Sequence, residues 1–365
     1  MIFSKIFSPK RFAGIDIGTA GIKLVELSGR RERRKLENYA GMKADVAHKG
    51  PFRTFKKNTL TLSSQDIAQA IKAIMKEARF KTRNCIFSIP DFSSFFTDFE
   101  LPSMAKEEIG KAVNYEARQH IPLPLSEVTL DWEVIESGVS DKGKSKLKIL
   151  LVAVPNEAIN QYQTIAKLCN LRILSLEAEA FGLVRSLIPV NENRTIAIVD
   201  IGAQTTTCSI IDKRVLISSN SFNISGGDLT ERLIRSLSVD YPTAQKLKKE
   251  YGLREASSTT NSESLSVKNI RGTLIPLVDT ILNEVKKISL NFHQTENKEV
   301  KKFIIAGGAS LMPGLREYFE NCLKRETEIA DPFSMISYPP VLKETLKEMG
   351  PAYAIAVGMA LRGLE

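Results

Sequence analysis

Two stretches of this chain carry the same arrangement of chemistry-bearing residues: GIDIGTAGIKLVEL from Gly14 and IVDIGAQTTTCSII from Ile198. Each joins an apolar strand to Asp-Ile-Gly, a short polar turn and a return strand, so that Asp16 matches Asp200 and Gly18 matches Gly202. Glycine at such a turn lets backbone approach a phosphate, and the N–H groups of the turn form a concave nest for anionic oxygens. An aspartate at each strand end supplies hard oxygen for Mg²⁺, an ion held through one or two carboxylates plus phosphates. One Asp-x-Gly alone is ordinary punctuation between strand and turn. Two in matching contexts imply a duplicated core with a cleft between the halves. A third stretch, FIIAGGASLMPGL, sets Gly307 and Gly308 after a buried strand, with Leu311, Pro313 and Gly314 entering a helix. Backbone there can lie flat against a ring, and a helix N-terminus can face anionic groups.

The elements that must position these turns alternate strand and helix from end to end, which favours an α/β architecture. A strand from Ala13, a turn at Thr19 to Gly21 and a second strand lead to a basic hairpin tip, Arg30 to Lys35, and a third strand. The segment 62–80 reads as a helix: Ser63 and Asp66 make a capping box, and Ile67, Ile71, Ile74, Met75 and Ala78 share one face. A buried strand then ends at Pro90, and 92–157 forms a compact α+β insertion with a helix from Lys106 to His120 and the proline-bounded IPLPL. A helix over 158–169, a strand over 172–176 and a helix over 177–187 precede the second run, in which Gly226 and Gly227 open a helix. The Ser/Thr-rich segment 253–267 reads as a mobile loop, 275–294 as a long helix and 351–364 as the closing helix.

Length and composition exclude several alternatives. At 365 residues, with 43% hydrophobic and 25% charged side chains, the chain holds two to three globular domains and is not disordered or fibrous. Its net charge of +9 suits an anionic partner or solubility alone. Cys85, Cys169, Cys208 and Cys322 show no CxxC spacing, and His48, His120 and His293 show no ligand spacing, which removes a metal cluster, a disulfide framework and Cys/His catalysis. These features suit a cytoplasmic protein. No apolar run reaches the length of a membrane span, and the opening MIFSKIFSPKRF is too short and interrupted for a secretory signal. Neither GxxxxGK[ST] nor GxGxxG occurs. The basic tip is interrupted by Glu32 and lacks aromatic residues, so it reads as a solvated hairpin and no nucleic-acid partner is expected.

In order and spacing, the three glycine-bearing stretches resemble the phosphate-1, phosphate-2 and adenosine motifs of the actin-like ATPase (ASKHA) superfamily. The run AVNYEARQHIPLPLSEVTLDWEVI, from Ala112 to Ile135, is similar to the insertion signature of the PilM family, relatives of FtsA that share its 1C subdomain. The resemblance covers essentially the whole chain. It implies an α/β fold: a duplicated actin-like core with subdomain 1A at 1–91 and 158–193, 1C at 92–157, 2A at 194–235 and 297–365, and 2B at 236–296. It also implies bound ATP with Mg²⁺, the metal at Asp16 and Asp200. Asp16, Gly18, Thr19, Ala20, Gly21 and Lys23 would serve the first phosphate loop. Asp200, Gly202, Ala203, Gln204, Thr205 and Thr206 would serve the second, and Gly226, Gly227, Lys248, Gly307, Gly308 and Leu311 the ribose and adenine. Gln245 stands where many relatives carry an acid. Hydrolysis needs a polar group that positions water at the γ-phosphate. Glu177 and Glu179 are the candidates, although the helix dipole favours acids in a first turn whatever the function. At most weak ATPase activity is implied.

The implied partner is the N-terminal cytoplasmic tail of a PilN-like bitopic protein, which would hold the chain at the inner face of the inner membrane. Pilus assembly ATPases and a second copy of the chain are left open as further partners. An FtsA-like filament protein of cell division is disfavoured, because the chain stops at Gly363, Leu364 and Glu365 without an amphipathic helix. A related type II secretion component stays as an alternative, and a small-molecule kinase of the same fold would need an acceptor-site carboxylate that no segment announces.

Overall fold

The computed structural model describes residues 10–30, 33–43, 55–56, 59–60, 62–139, 145–255 and 262–365. His48, the opening segment 1–9, the middle of 253–267 and part of the basic tip lie outside the described residues.

Strand β1 (Arg11–Gly18) is apolar on both faces because it runs through the middle of a five-stranded sheet covered by helices on either side. Antiparallel β2 (Gly21–Arg30) and β3 (Arg33–Lys43) extend the sheet one way. After the two-residue pair β4 (Phe55–Lys56) and β5 (Thr59–Leu60), parallel β6 (Asn84–Ile89) and β10 (Arg172–Ala178) extend it the other way. The second sheet repeats this plan. β11 (Ile196–Ile201) is central, with β12 (Thr206–Asp212) and β13 (Val215–Phe222) antiparallel on one side. Parallel β14 (Lys302–Ala306) and β15 (Glu326–Ile329) lie on its other side. Equal strand order in both sheets makes the molecule a duplicated α/β core of the actin-like kind.

Helices α1 (Ser64–Glu77) and α3 (Asn156–Leu168) cover the outer face of the first sheet through Ile67, Ile71, Tyr162 and Ile165. The hydroxyl of Ser63 accepts the Asp66 N–H and caps α1, as the sequence pattern requires. On the second sheet the same position is taken by α5 (Gly226–Leu237), α6 (Tyr241–Glu250), α7 (Ser262–Glu296) and α8 (Leu315–Leu323). Between the sheets run α4 (Glu179–Leu187) and α9 (Lys343–Arg362), packed with the inner faces of both. They meet where Gly182 and Gly358 lack side chains: a Cβ on Gly358 would stand 2.0 Å from the Gly182 carbonyl oxygen. Cysteines 85, 169 and 208 are buried and free.

The insertion is a three-stranded antiparallel sheet of β7 (Phe95–Pro102), β9 (Ser145–Pro155) and β8 (Val128–Val139). Helix α2 (Lys106–His120) closes its core through Ile109, Val113 and Ala117. The insertion leaves the first sheet after β6 and returns through α3.

Three sequence expectations are corrected. Helix α4 begins at Glu179, so Glu177 belongs to β10. Helix α7 begins at Ser262, inside the segment read as a loop, and α9 at Lys343. Local pattern puts the starts of these two helices beside Pro276 and Pro351, because proline is favoured in a first turn. Both prolines sit inside helices held by packing: Ile270 and Leu274 extend the buried stripe of α7 ahead of Pro276, and Leu346 does so for α9 ahead of Pro351. Strands β13 and β15 were not read at all, since their half-polar sequences VLISSNSF and ETEI owe their strand form to edge pairing.

Candidate functional site

At the end of β1 the hairpin register pairs Asp16 with Lys23 and Gly18 with Gly21. Opposed residues of an antiparallel pair share a face, so the Lys23 ammonium donates to Asp16 Oδ2 at 2.9 Å. The Ser88 hydroxyl donates to the other oxygen, Oδ1, at 3.0 Å. Gly21 has φ +153° and lies flat on β3, where a Cβ would meet the Met42 carbonyl oxygen at 2.3 Å. A Cβ on Gly18 would meet nothing closer than 3.4 Å, in a space floored by Lys23 and Asp16. Thr19 is buried and Ala20 exposed at the turn itself.

In the second half, the register pairs Asp200 with Thr207, so threonine stands where the first half has Lys23. The loop Gly202, Ala203, Gln204 and Thr205 closes through a Gly202 N–H bond to the Thr205 carbonyl at 3.0 Å. It is tied to the start of α5: the Gly226 N–H donates to the Gly202 carbonyl at 2.9 Å, and the Ser225 hydroxyl to that of Ala203 at 3.0 Å. Thr206 is fully buried and its hydroxyl donates to the Ile224 carbonyl at 2.6 Å, so it braces the loop from beneath. Gly307, at φ +86°, brings the third stretch against the second: a Cβ there would stand 2.4 Å from the Ile201 carbonyl oxygen and 2.5 Å from Asp200 Oδ1. Gly308 has open space above it and Leu311 is 43% exposed. Lys248 is buried beneath Gly226, donating to its carbonyl at 2.7 Å and to Thr230 Oγ1 at 2.6 Å. It thus holds the helix start, and burial with the neighbouring charge of Lys249 lowers its pKa to about 8. Gln245 is hydrogen-bonded to the Tyr241 hydroxyl at 2.8 Å.

Electrostatics join the halves. Burial alone would lower the Lys23 pKa, but the charge and hydrogen bond of Asp16, with Asp200 beyond, leave it raised. Asp200 is pushed up to about 6 by burial and the nearby Asp16, against the pull of Lys23. Glu179 is pushed well above the usual carboxylate range by burial, then by Asp16, Asp91 and Asp200. Asp91, 4% exposed, is raised to about 7 by burial and by Asp200, although the N–H of Ala180 and the hydroxyl of Ser219 bind it. Asp16, Asp91 and Asp200 thus all act on Glu179, and the ammonium of Lys23 stands with Asp16 and Asp200.

The two glutamates are separated. A two-residue spacing within one strand would put both on one face, but β10 ends at Ala178 and α4 begins at Glu179, so Glu179 leaves the strand and joins the carboxylate cluster while Glu177 does not. The Arg185 guanidinium holds Glu177 bidentately at 2.7 and 2.8 Å. Sequence reasoning missed Ser88 and Asp91. Both lie in the SIPD that ends β6, the strand beside β1, and an acid directly after the strand-ending Pro90 was the signal that could have found Asp91.

Among the described residues no three His, Cys, Asp or Glu side chains are arranged to hold a metal ion, and no helix is long and apolar enough to cross a membrane. The donor set nonetheless fits a divalent cation brought with phosphates. Carboxylates in such surplus repel a bare polyphosphate, and Mg²⁺ completes its coordination with phosphate oxygens and water.

The fold is shared with known proteins. The chain is similar to a chain of the PilM-PilN type IV pilus biogenesis complex over 98% of its length and 100% of that chain, with a TM-score of 0.79 and 24% identity. It matches MreB5 of Spiroplasma citri bound to ADP over 96% and 95% of the two chains, with a TM-score of 0.55 and 14% identity. Cell division protein FtsA of Staphylococcus epidermidis is 20% identical over 215 residues, 56% of this chain and 46% of that relative. The chain thus spans about half the length of the curated relatives it matches. The family model for type IV pilus assembly protein PilM matches residues 14–364, and the chain belongs to that family.

Proposed function

We propose that this chain is a nucleotide-binding adaptor of type IV pilus assembly that docks the N-terminal cytoplasmic tail of a PilN-like bitopic protein and is held by it at the inner face of the inner membrane. The observation that carries the nucleotide part is the pair of Asp-Ile-Gly turns facing one cleft, with Lys23 between Asp16 and Asp200. The two turns would clamp the phosphates of ATP, Lys23 would neutralise a phosphate oxygen, and Asp16 and Asp200 would hold Mg²⁺ through its water shell. Gly307 and Gly308 would offer flat backbone to the nucleoside, and Lys248 would keep the start of α5 in place beside it. When bound, the metal screens the charge of the phosphates.

Glu179 would orient a water, a role supported by its position among the cleft carboxylates. Hydrolysis is not required for a signal, because binding itself can supply one. A ligand present at about 1,000 times its dissociation constant stabilises the competent state by about 4 kcal/mol, enough to bias an open–closed equilibrium. The family membership and the likeness to a chain of the PilM-PilN complex support the tail as partner.

Calorimetry with the tail peptide, with and without Mg·ATP, tests the reading. Binding of the tail is expected, and its absence under both conditions refutes the adaptor role. Alanine at both Asp16 and Asp200 is expected to abolish metal-dependent ATP affinity, and undiminished affinity refutes the two-turn clamp.

A further inference from the structure

Asp91 sits in the single 3₁₀ turn, Asp91–Ser93, through which the chain leaves the first sheet to build the insertion. It is nearly fully buried, and its polar groups engage two other elements. Its N–H donates to Glu179 Oε2 at 3.3 Å, while its Oδ1 accepts the Ala180 N–H at 3.2 Å. This reciprocal pair locks the first turn of α4 to the root of the insertion. It also supplies the capping oxygen that Ala178, the N-cap residue of α4, lacks. Oδ2 accepts the hydroxyl of Ser219 at 3.0 Å, and Ser219 lies on β13, the edge strand of the second sheet. One carboxylate therefore joins the helix that carries Glu179, the base of the insertion and the opposite half of the molecule.

The insertion also leans on the second half elsewhere. β13 lies against β7 and β8, and Lys148 of β9 is ion-paired with Glu296, the last residue of α7. Lys148 bonds Asp98 of β7 at 3.3 Å as well. The insertion is thus seated on both halves, although its chain enters and leaves from the first alone. Any change in the angle between the halves must move Ser219 relative to Asp91 or carry the insertion with it.

We propose that Asp91 is a positioning residue that couples closure of the cleft to the seating of the insertion. The proposal rests on the nucleotide-binding reading above. Drawing the Asp16 and Asp200 turns together shifts β13 against the first sheet. Asp91, fixed to α4 by two hydrogen bonds, passes that shift to the strand and helix that follow it, β7 and α2. Burial of Asp91 makes the link stiff, because so buried an acceptor is left unsatisfied when its donor moves away.

Hydrogen–deuterium exchange of the full chain, with and without Mg²⁺ and a non-hydrolysable ATP analogue, tests the coupling, with analogue affinity measured in parallel. In the wild type, amides of β7 and α2 are expected to exchange about fivefold more slowly with the analogue bound. Ser219→Ala cuts only the arm to the second half, so the analogue should still bind while the response of β7 and α2 disappears. Asp91→Ala removes the arm to α4 as well, and at saturating analogue its β7 and α2 should likewise show no response. Asp91→Asn keeps an acceptor for Ala180 and can donate to Ser219, so it should restore the response, which a simple loss of packing would not predict. Should Asp91→Ala fail to fold, Ser219→Ala and Asp91→Asn still decide. A full response in Ser219→Ala, or a wild type that binds the analogue with unchanged exchange in the insertion, overturns the coupling alone. A wild type that does not bind the analogue overturns both the coupling and the nucleotide reading.

Discussion

Asp200→Asn should stabilise the ligand-free protein and weaken the ligand-bound one. Burial and Asp16 hold the Asp200 carboxyl at about 6 against an ordinary 3.8, so the folded state binds its proton more tightly than the unfolded chain does. The stability that comes with that proton is fully present below pH 3.8 and is lost as pH rises through about 6. A shift of about two units at about 1.4 kcal/mol each makes the penalty about 3 kcal/mol at pH 8, roughly half of that at pH 5 and close to nothing at pH 3. Asparagine keeps the shape and drops the charge, so at pH 8 the variant should gain up to about 3 kcal/mol. That equals about 4 °C in Tm for a chain of this length. Thermal melts at pH 8 and pH 5 read the difference, and melts with saturating Mg·ATP should reverse its sign, because the variant forfeits one of the two oxygens proposed for the metal. If Asp200→Asn destabilises the ligand-free protein at pH 8, or gains as much from Mg·ATP as the wild type does, the electrostatic account of the cleft is wrong.

Gly307→Ala forces a Cβ to within 2.4 Å of the Ile201 carbonyl oxygen at a positive φ and should cost about 3 kcal/mol in urea unfolding. Gly308→Ala meets open space, so it should stay within about 0.5 kcal/mol of the wild type while weakening nucleotide affinity in calorimetry. Lys248 has its pKa lowered from 10.5 to about 8, so the stability linked to it is present above pH 10.5 and lost as pH falls through 8. The stability of the wild type relative to Lys248→Met should therefore rise between pH 8 and 10.5 in denaturant titrations, by about 3 kcal/mol at most. Gly358→Ala drives a Cβ into the Gly182 backbone between α4 and α9 and should cost about 3 kcal/mol by urea unfolding, with a smaller loss refuting the close helix contact.

The Asp-Ile-Gly repeat, the capping box at Ser63 and the alternation of strands and helices are local patterns. Hydrophobic period, turn chemistry and spacing carried them, and from them the duplicated α/β core was legible, as was the helix from Lys106 to His120 inside the insertion. Helix starts at Ser262 and Lys343 were not, because a proline inside a helix looks locally like a start and only packing of Ile270 and Leu346 overrides it. Edge strands β13 and β15 were invisible for the same reason, being strands because a neighbour pairs with them. The candidate site divides along this line. Asp16, Lys23 and Asp200 follow from strand register, which a two-residue period dictates. That Glu179 enters the cleft and Glu177 pairs with Arg185 depends on where β10 ends and α4 begins. That Asp91 joins them depends on contacts between residues far apart in the chain. Sequence by itself determined which groups are candidates for phosphate and metal. Tertiary structure decided which carboxylates share the cleft, because pKa and contact depend on distances through space that no local pattern encodes.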